Sequence, residues 1–196
     1  MKIVFASRNE GKLNEIKSML ADTKVELISL TDYDGIPEIV EDGKSFLENA
    51  FKKAKIISGI TGETVLADDS GLTVGVLNGE PGIYSSRYAG EKATDEENNA
   101  KLLANLKNVP PEQRTASFHC VLVLYQPDGS FESFEGNWRG QIIDEKRGSN
   151  GFGYDPIFWV PEMKMTAAEL PSAVKNKLSH RGQAFAKLKN KLLLCC

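Results

Sequence analysis

Residues 66–72 of the chain read Leu-Ala-Asp-Asp-Ser-Gly-Leu and continue the short apolar run 64–67, Thr-Val-Leu-Ala. The run predicts a strand and the residues after it a tight turn, which places Asp68 and Asp69 at the strand's carboxyl end. Open α/β sheets bind ligands at that edge. Adjacent carboxylates repel each other and resist losing water, which favours a bound cation or a catalytic task. An Asp-Ser-Gly turn that bonds its own backbone is the structural alternative, and this stretch alone leaves the choice open.

Size and composition predict one globular, soluble domain over residues 1–196, with 41% hydrophobic and 26% charged residues. The formal net charge of −3 argues against a general binder of nucleic acid or anionic membranes. The N-terminal apolar run is too short for a signal peptide and no stretch is as long as a membrane span, so we expect a cytoplasmic protein. Cys120, Cys195 and Cys196 suggest neither a disulfide framework nor a zinc site. The terminal cysteine pair is expected to be a frayed tail.

Apolar periodicity predicts helices alternating with strands in the first half of the chain. The predicted strands are 2–6, 25–30, 64–67 and 72–77, and the predicted helices are 12–20 and 45–58. A capping box from Thr94 to Glu97 opens a helix to about Lys107. Residues 115–126 and 131–137 form a predicted hairpin, and a last helix follows Ser179. This order predicts a mixed sheet within an α/β fold.

The segment Ser7-Arg8-Asn9-Glu10-Gly11-Lys12 lies between a predicted strand and a helix start. Exposed amides at a helix N-terminus, with polar and basic side chains beside them, suit an anionic group such as phosphate. The spacing is not that of a P-loop. An ordinary surface loop is the alternative.

A second candidate is the glycine-rich loop 148–156, Gly-Ser-Asn-Gly-Phe-Gly-Tyr-Asp-Pro. Its glycines permit close approach of a ligand, Phe152 and Tyr154 offer faces on which a base can stack, and Asp155 adds a fixed acceptor. The structural alternative is a wide loop whose aromatic side chains fill the core.

Basic side chains precede the last predicted helix. Lys175 suits phosphate as a point charge, Arg181 suits a planar or anionic group, and both His180 and Arg181 carry donors for a base carbonyl. His119 lies inside a predicted strand and is interpreted as structural. Residues 81–90 suggest an interface or a substrate lip, without deciding between them.

Together these segments resemble the inosine triphosphate pyrophosphatase family. The segments that carry the resemblance, in family order over nearly the whole chain, are 7–12, 46–50, 66–72, 81–90, 151–158, 166–170 and 179–181. One mild departure is Ser7-Arg8, where the family often has Thr followed by a small or polar residue.

The resemblance implies a two-lobed α/β fold around a long mixed sheet and a central nucleotide-binding cleft, usually as a homodimer that requires Mg²⁺. It implies hydrolysis of ITP, dITP and XTP to the monophosphate and pyrophosphate. By position, Asp69 is the general base and a metal ligand, and Glu41 is the second metal ligand, with Glu38 as the alternative. The implied substrate contacts are Ser7, Arg8, Asn9, Glu10, Gly11, Lys12, Ser70, Phe152, Gly153, Tyr154, Asp155, Lys175, His180 and Arg181.

The implied chemistry agrees with the residue types. Water attack at the α-phosphorus needs charge neutralisation on the triphosphate and a positioned nucleophile, which Mg²⁺, Lys12 and Lys175 would support. Donors that pair with a carbonyl and oppose an amine would separate hypoxanthine and xanthine from adenine. A nucleotide hydrolase of other base preference or regiochemistry and a non-catalytic nucleotide-binding regulator are the alternatives. The division of roles between Asp68 and Asp69 stays open at this point.

Overall fold

The computed structural model describes residues 1–194, so the predicted tail at Cys195 and Cys196 lies outside the described residues. Within residues 1–194 the strands are β1 (Lys2–Phe5), β2 (Glu26–Ser29), β3 (Val65–Val74), β4 (Thr115–Tyr125), β5 (Phe131–Ile142), β6 (Phe158–Val160) and β7 (Met165–Thr166). The α-helices in that range are α1 (Glu10–Leu20), α2 (Phe46–Thr61), α3 (Asp95–Asn105), α4 (Ser172–Leu178) and α5 (His180–Leu194).

The strands form one sheet in the order β2-β1-β3-β4-β5-β6-β7. β1 pairs in parallel with β2 and β3, whereas β6 pairs antiparallel with β5 and β7. The predicted mixed sheet within an α/β fold is therefore confirmed. No helix in residues 1–194 is both long enough and apolar enough to cross a membrane.

Two helix starts follow from local capping. The Asn9 side chain accepts a hydrogen bond from the Lys12 amide at 2.9 Å, and this cap starts α1 at Glu10, two residues earlier than predicted. The predicted capping box is present at α3, where Thr94 and Glu97 each accept from the other's backbone amide.

The acidic stretch differs most from the predicted elements. Val65–Val74 is one continuous strand of 10 residues, so the predicted turn and the two separate strands on either side of it are wrong. Eight of these residues are buried, and only Ser70 and Thr73 are half-buried. Neither Ser70 nor Gly71 has a positive φ that would reverse the chain. Because residues on both faces of the sheet are buried here, the strand continues through Asp68 and Asp69 instead of turning.

The chain divides into two compact units, each built from separated segments. Unit 1 comprises Met1–Asp69, Cys120–Gly136 and the described part of Arg181–Cys196. Unit 2 comprises Ser70–His119 and Asn137–His180. The single domain expected over residues 1–196 stays a prediction.

In unit 1 the pleat of β3 separates two apolar clusters. Leu66 packs with Ile16 of α1 and Ala184 of α5. Val65 and Ala67 pack in another cluster, whose members from α2 include Ala50, Ala54 and Ile57. Because successive strand residues point to opposite faces, Asp68 faces the side of α1 and α5, and Asp69 faces the side of α2.

Candidate functional site

The loop before α1 is ordered by its own side chains. The Ser7 hydroxyl accepts from the Asn9 amide at 3.2 Å, and the Arg8 guanidinium donates to the Ile36 carbonyl at 2.8 Å. Glu10 is exposed and begins the helix, with Gly11 in its first turn. The helix N-terminus predicted for this segment is confirmed, while its contact with phosphate stays a prediction.

Asp68 is the centre of a buried charge cluster in unit 1. Its side chain is fully buried, Lys12 Nζ pairs with Oδ1, and Arg181 Nε donates to Oδ2 at 2.9 Å. The Cys120 thiol also donates to Oδ2, at 3.4 Å. Burial opposes ionisation, but the charges of Arg181 and Lys12 outweigh it and hold the pKa of Asp68 well below its usual value. Asp68 therefore stays an anion that is held by two cations.

Arg181 completes this cluster from the start of α5. Its side chain is 2% exposed, and Nη1 donates to Glu15 Oε2 of α1 at 2.5 Å. Burial lowers the pKa of the guanidinium, but the negative charges of Asp68 and Glu15 outweigh it and the net pKa is raised. Sequence reasoning missed Glu15, since the contact joins residues far apart in the chain. The substrate contact expected of Arg181 stays a prediction.

Asp69 has a different environment in the same unit. Lys53 of α2 places Nζ 3.7 Å from Asp69 Oδ1 and 2.5 Å from Glu41 Oε1. The same ammonium donates to the Asp68 carbonyl at 2.7 Å. Burial raises the pKa of Asp69, and the nearby Glu41 charge adds to this, against the opposing charges of Lys53 and Lys12. A buried carboxylate with a raised pKa is a candidate proton acceptor.

Lys53 is the main functional candidate that sequence reasoning missed. It lies one helical turn after Asn49, inside the helix that begins with the family segment 46–50. That spacing was the available signal, because residues four apart share one helix face. The buried Asn49 accepts from the Gly43 amide at 2.8 Å, which ties the acidic loop to α2.

The oxygen set around Lys53 fits Mg²⁺. Glu41 and Asp69 both approach one ammonium, so two carboxylates converge where a cation already lies. Among the described residues no group of three or more His, Cys, Asp or Glu side chains forms a metal site. Mg²⁺ in nucleotide enzymes commonly takes only one or two carboxylates, with the remaining positions filled by water and phosphate. Glu38 is exposed, whereas Glu41 approaches the shared ammonium, and the choice between them as the second metal ligand stays a prediction.

In unit 2 the glycine-rich loop surrounds a buried ion pair. Lys175 Nζ of α4 lies 2.6 Å from Asp155 Oδ2, and both side chains are less than a tenth exposed. The Phe152 amide donates to the same oxygen at 3.0 Å, and the Lys175 ammonium lies 5.1 Å from the centroid of the Phe152 ring. A Cβ at Gly151 would lie 2.0 Å from that carboxylate oxygen, so glycine is required there.

Tyr154 belongs to the core of unit 2. It is 4% exposed, and its hydroxyl donates to the Ser85 carbonyl at 2.8 Å. Burial raises the pKa of this phenol above its usual value. The position agrees with the structural alternative of aromatic side chains that fill the core, and base stacking by Tyr154 stays a prediction.

The other residues singled out in the sequence also have defined surroundings. His180 is 5% exposed and stacks on Phe118, with ring centroids 4.8 Å apart and planes at 11°. His119 contacts the Thr73 hydroxyl at 2.9 Å, in agreement with its structural interpretation. Ser70 is half-buried in β3, and Gly82–Arg87 of the segment 81–90 is a 3-10 helix.

The predicted residues thus gather in two clusters, one in each unit. In unit 1 the structure brings together Lys12, Asp68, Asp69, Glu41 and Arg181. In unit 2 it brings together Phe152, Asp155 and Lys175.

Comparison with known proteins identifies the family. A model of the Ham1 family matches residues 3–191. A Geobacter sulfurreducens protein named dITP/XTP pyrophosphatase is 53% identical over 191 residues, covering 97% of this chain and 96% of its own length. A Desulforamulus reducens protein of the same name is 48% identical over 187 residues, covering 95% and 93%.

Solved structures of Ham1 proteins also match this chain. A HAM1 protein from Coxiella burnetii matches with a TM-score of 0.90 at 46% identity, covering 98% of both chains. The Ham1 protein of Staphylococcus aureus matches with a TM-score of 0.87 at 44% identity and the same coverage. The resemblance found in the sequence is confirmed, and the chain belongs to the Ham1 family.

Proposed function

We propose that this chain hydrolyses the non-standard purine nucleoside triphosphates ITP, dITP and XTP to the nucleoside monophosphate and pyrophosphate. Relatives about half identical over nearly their full length bear the name dITP/XTP pyrophosphatase. The observation that carries the proposal is the geometry around Asp69, a buried carboxylate that shares one ammonium with Glu41. Such a group suits an enzyme that activates water beside a metal-bound phosphate.

The two adjacent carboxylates, Asp68 and Asp69, have different roles in this proposal. Asp68 has a pKa well below its usual value and is held by Lys12 and Arg181, so it is a poor proton acceptor. Asp69 has a raised pKa, which makes it the better base. We therefore assign the general base to Asp69. Asp68 holds the two cations in place.

Mg²⁺ would be held by Glu41 and Asp69. When bound, the ion supplies Lewis-acid polarisation of the phosphate and lowers the pKa of its water. The charges around these side chains support this assignment. Glu41 and Asp69 share the Lys53 ammonium, whereas Lys12 and Arg181 are paired with Asp68. The two carboxylates that converge on one ammonium favour a cation there, and the Lys12 ammonium favours the anionic triphosphate.

Phosphate and base would be bound by different groups. The amides at the start of α1 and the Lys12 ammonium suit the phosphates. In unit 2, the half-buried Phe152 offers a ring face, and Lys175 and His180 carry donors. Donors that meet a purine carbonyl are satisfied by hypoxanthine and xanthine and opposed by the amine of adenine, which supplies base selection.

The proposal includes a homodimer that works in the cytoplasm, where nucleoside triphosphates are made and consumed. Sedimentation velocity tests the dimer: a species of twice the 21.6 kDa chain mass supports it, and a monomer at micromolar concentration contradicts it.

A nucleotide panel tests the reaction. Purified chain is incubated with dITP, XTP, ITP, dATP and dGTP, with Mg²⁺ or with chelator, and both pyrophosphate and orthophosphate are measured. We expect Mg²⁺-dependent pyrophosphate release from the first three, at least about a hundredfold faster than from dATP. Orthophosphate release would indicate a different hydrolase, and binding without turnover would indicate a regulator; either result contradicts the proposal.

A further inference from the structure

Two side chains of helix α3 form hydrogen bonds with the amide and the carbonyl of Gly153, in the middle of the glycine-rich loop. The Gly153 amide donates to Asp95 Oδ2 at 2.6 Å, and the Gly153 carbonyl accepts from Asn99 Nδ2 at 2.9 Å. Asp95 and Asn99 are four residues apart, so they lie on one face of the helix. Gly153 has a φ of +63°, in the left-handed region that favours glycine. The two contacts fix this backbone conformation from one rigid element.

Asn99 is an unusual choice for its position. It is 3% exposed, and within residues 1–194 no donor reaches its side-chain oxygen Oδ1. A buried amide that satisfies only its nitrogen is unfavourable compared with an apolar residue of similar size. Packing alone therefore does not account for Asn99. The hydrogen bond from Asn99 to the Gly153 carbonyl is the interaction that accounts for an amide at this position.

The Gly153 peptide lies beside groups that the proposed function uses. Phe152 precedes it, and Asp155, which pairs with Lys175, follows two residues later. Because consecutive peptides share backbone dihedrals, a rotation at Gly153 turns the Phe152 ring and displaces the Asp155 carboxylate. Accurate placement of such groups strongly affects binding.

We propose that Asn99 and Asp95 are positioning residues that hold the Gly153 peptide in the conformation in which the loop binds the purine base. The inference rests on the proposed function, since it concerns how that substrate is bound. Neither side chain takes part in the chemical step. Their loss therefore raises KM and leaves kcat nearly unchanged.

Two substitutions remove the contacts separately. Asn99→Asp keeps the size of the side chain but replaces the donor with a carboxylate that faces the Gly153 carbonyl. We expect KM for dITP to rise about tenfold and kcat to stay within about twofold, on the scale of one lost hydrogen bond. Asp95→Ala should raise KM about fivefold. Asp95→Asn keeps an acceptor, so its KM should lie within about twofold of wild type. An unchanged KM in both Asn99→Asp and Asp95→Ala would overturn the proposal.

Asn98 supplies a matched control on the same helix. It is 2% exposed, and its amide contacts the Ser86 carbonyl and the Ala89 amide instead of the glycine-rich loop. Asn98→Asp makes the same chemical change one residue away, and we expect a comparable loss of stability with KM within about twofold of wild type. If Asn98→Asp raises KM as much as Asn99→Asp does, general packing explains both effects and positioning is refuted.

A measurement without substrate separates this inference from the proposed function. Hydrogen exchange by NMR reports directly on the Gly153 amide, which donates a hydrogen bond to the Asp95 carboxylate. We expect Asp95→Ala to speed exchange of this amide at least about fivefold. Glu96→Ala removes a neighbouring carboxylate that pairs with Lys146, and it should leave the exchange rate unchanged. Absent pyrophosphate release from wild type would refute the proposed function, whereas unchanged exchange in Asp95→Ala would refute the positioning pair.

Discussion

The two faces of β3 give the same residue type opposite properties. On the side of α1 and α5, Asp68 is fully buried between Lys12 and Arg181, and its pKa is well below the usual value. On the side of α2, Asp69 is 5% exposed and its pKa is raised. The cation beside it, Lys53, also pairs with Glu41. Burial acts on both carboxylates in the same direction. The number and proximity of the cations on each face decide the sign of the net shift.

Under the proposed function, this difference lets one strand carry both a structural carboxylate, Asp68, and a reactive one, Asp69. The alternation of a strand sends neighbouring side chains to different partners without any change in the backbone. A charge that is fully paired stabilises the fold, whereas a charge that burial leaves less favourable is available for chemistry. We expect the two positions to respond differently to the same substitution.

The largest expected effect is on turnover in Asp69→Asn. Loss of the base should lower kcat for dITP about a thousandfold while nucleotide binding persists, because general base catalysis contributes about 10²–10⁴-fold. Steady-state kinetics and calorimetry with a non-hydrolysable dITP analogue measure the two properties. The control Asp42→Asn changes an exposed carboxylate of the acidic loop that pairs with Lys52, and should retain activity. Near-normal turnover in Asp69→Asn would refute the assignment of the base.

Asp68→Asn should have the largest effect on stability. It leaves Lys12 and Arg181 beside a neutral side chain in a buried position, which typically destabilises a protein by about 3–5 kcal/mol. Urea unfolding followed by circular dichroism measures the change. Asp22→Asn, at an exposed pair with Lys189, should leave the unfolding midpoint unchanged. Equal midpoints for Asp68→Asn and wild type would show that the buried cluster does not stabilise the fold.

The pH dependence of stability follows from the same carboxylate. Because the pKa of Asp68 is lower in the folded state, the unfolded chain binds more protons in acid. The contribution of Asp68 is therefore complete above the ordinary aspartate pKa of about 3.9 and is lost as pH falls through the folded value. Urea midpoints between about pH 3 and pH 7 should fall more steeply toward acid in wild type than in Asp68→Asn. Parallel profiles would contradict the lowered pKa.

A smaller effect is expected for Glu15→Gln. The substitution removes the Glu15 carboxylate from Arg181, while the contact between Asp68 and Arg181 remains. We expect a loss of about 1 kcal/mol in the free energy of unfolding, since the amide oxygen still accepts a hydrogen bond. Glu26→Gln, at an exposed residue, is the control. A loss as large as that of Asp68→Asn would mean that Glu15, not Asp68, is the principal anchor of Arg181.

Much of the fold could be predicted from local patterns. Signals within a few residues of sequence predicted the alternating strands and helices, the capping box at Thr94 and the hairpin of β4 and β5. The turn predicted for the acidic stretch is wrong because Asp, Ser and Gly favour turns locally, whereas these residues lie within β3. Here the ion pairs and the burial of both faces override that preference, and no short-range pattern reports on either.

The site could be predicted only as far as residue types and family positions allow. Asp69, Glu41 and Lys175 were predicted in that way. The structure joins each of them to a charged partner, and their roles stay predictions. Lys53, Glu15 and Asn99 were missed because their partners lie far away in the sequence. Lys53 contacts Asp69 and Asn99 contacts Gly153, 54 residues along the chain, so only the folded arrangement shows what they do.

The most direct test of the division between Asp68 and Asp69 is one pair of unfolding free energies. Asp68→Asn and Asp69→Asn are measured at pH 7 in metal-free buffer, against wild type. Because the raised pKa of Asp69 makes its ionised form unfavourable in the folded state, the neutral substitution should stabilise the protein. Asp68→Asn should destabilise it. The account predicts changes of opposite sign, and similar losses of stability in both variants would contradict it.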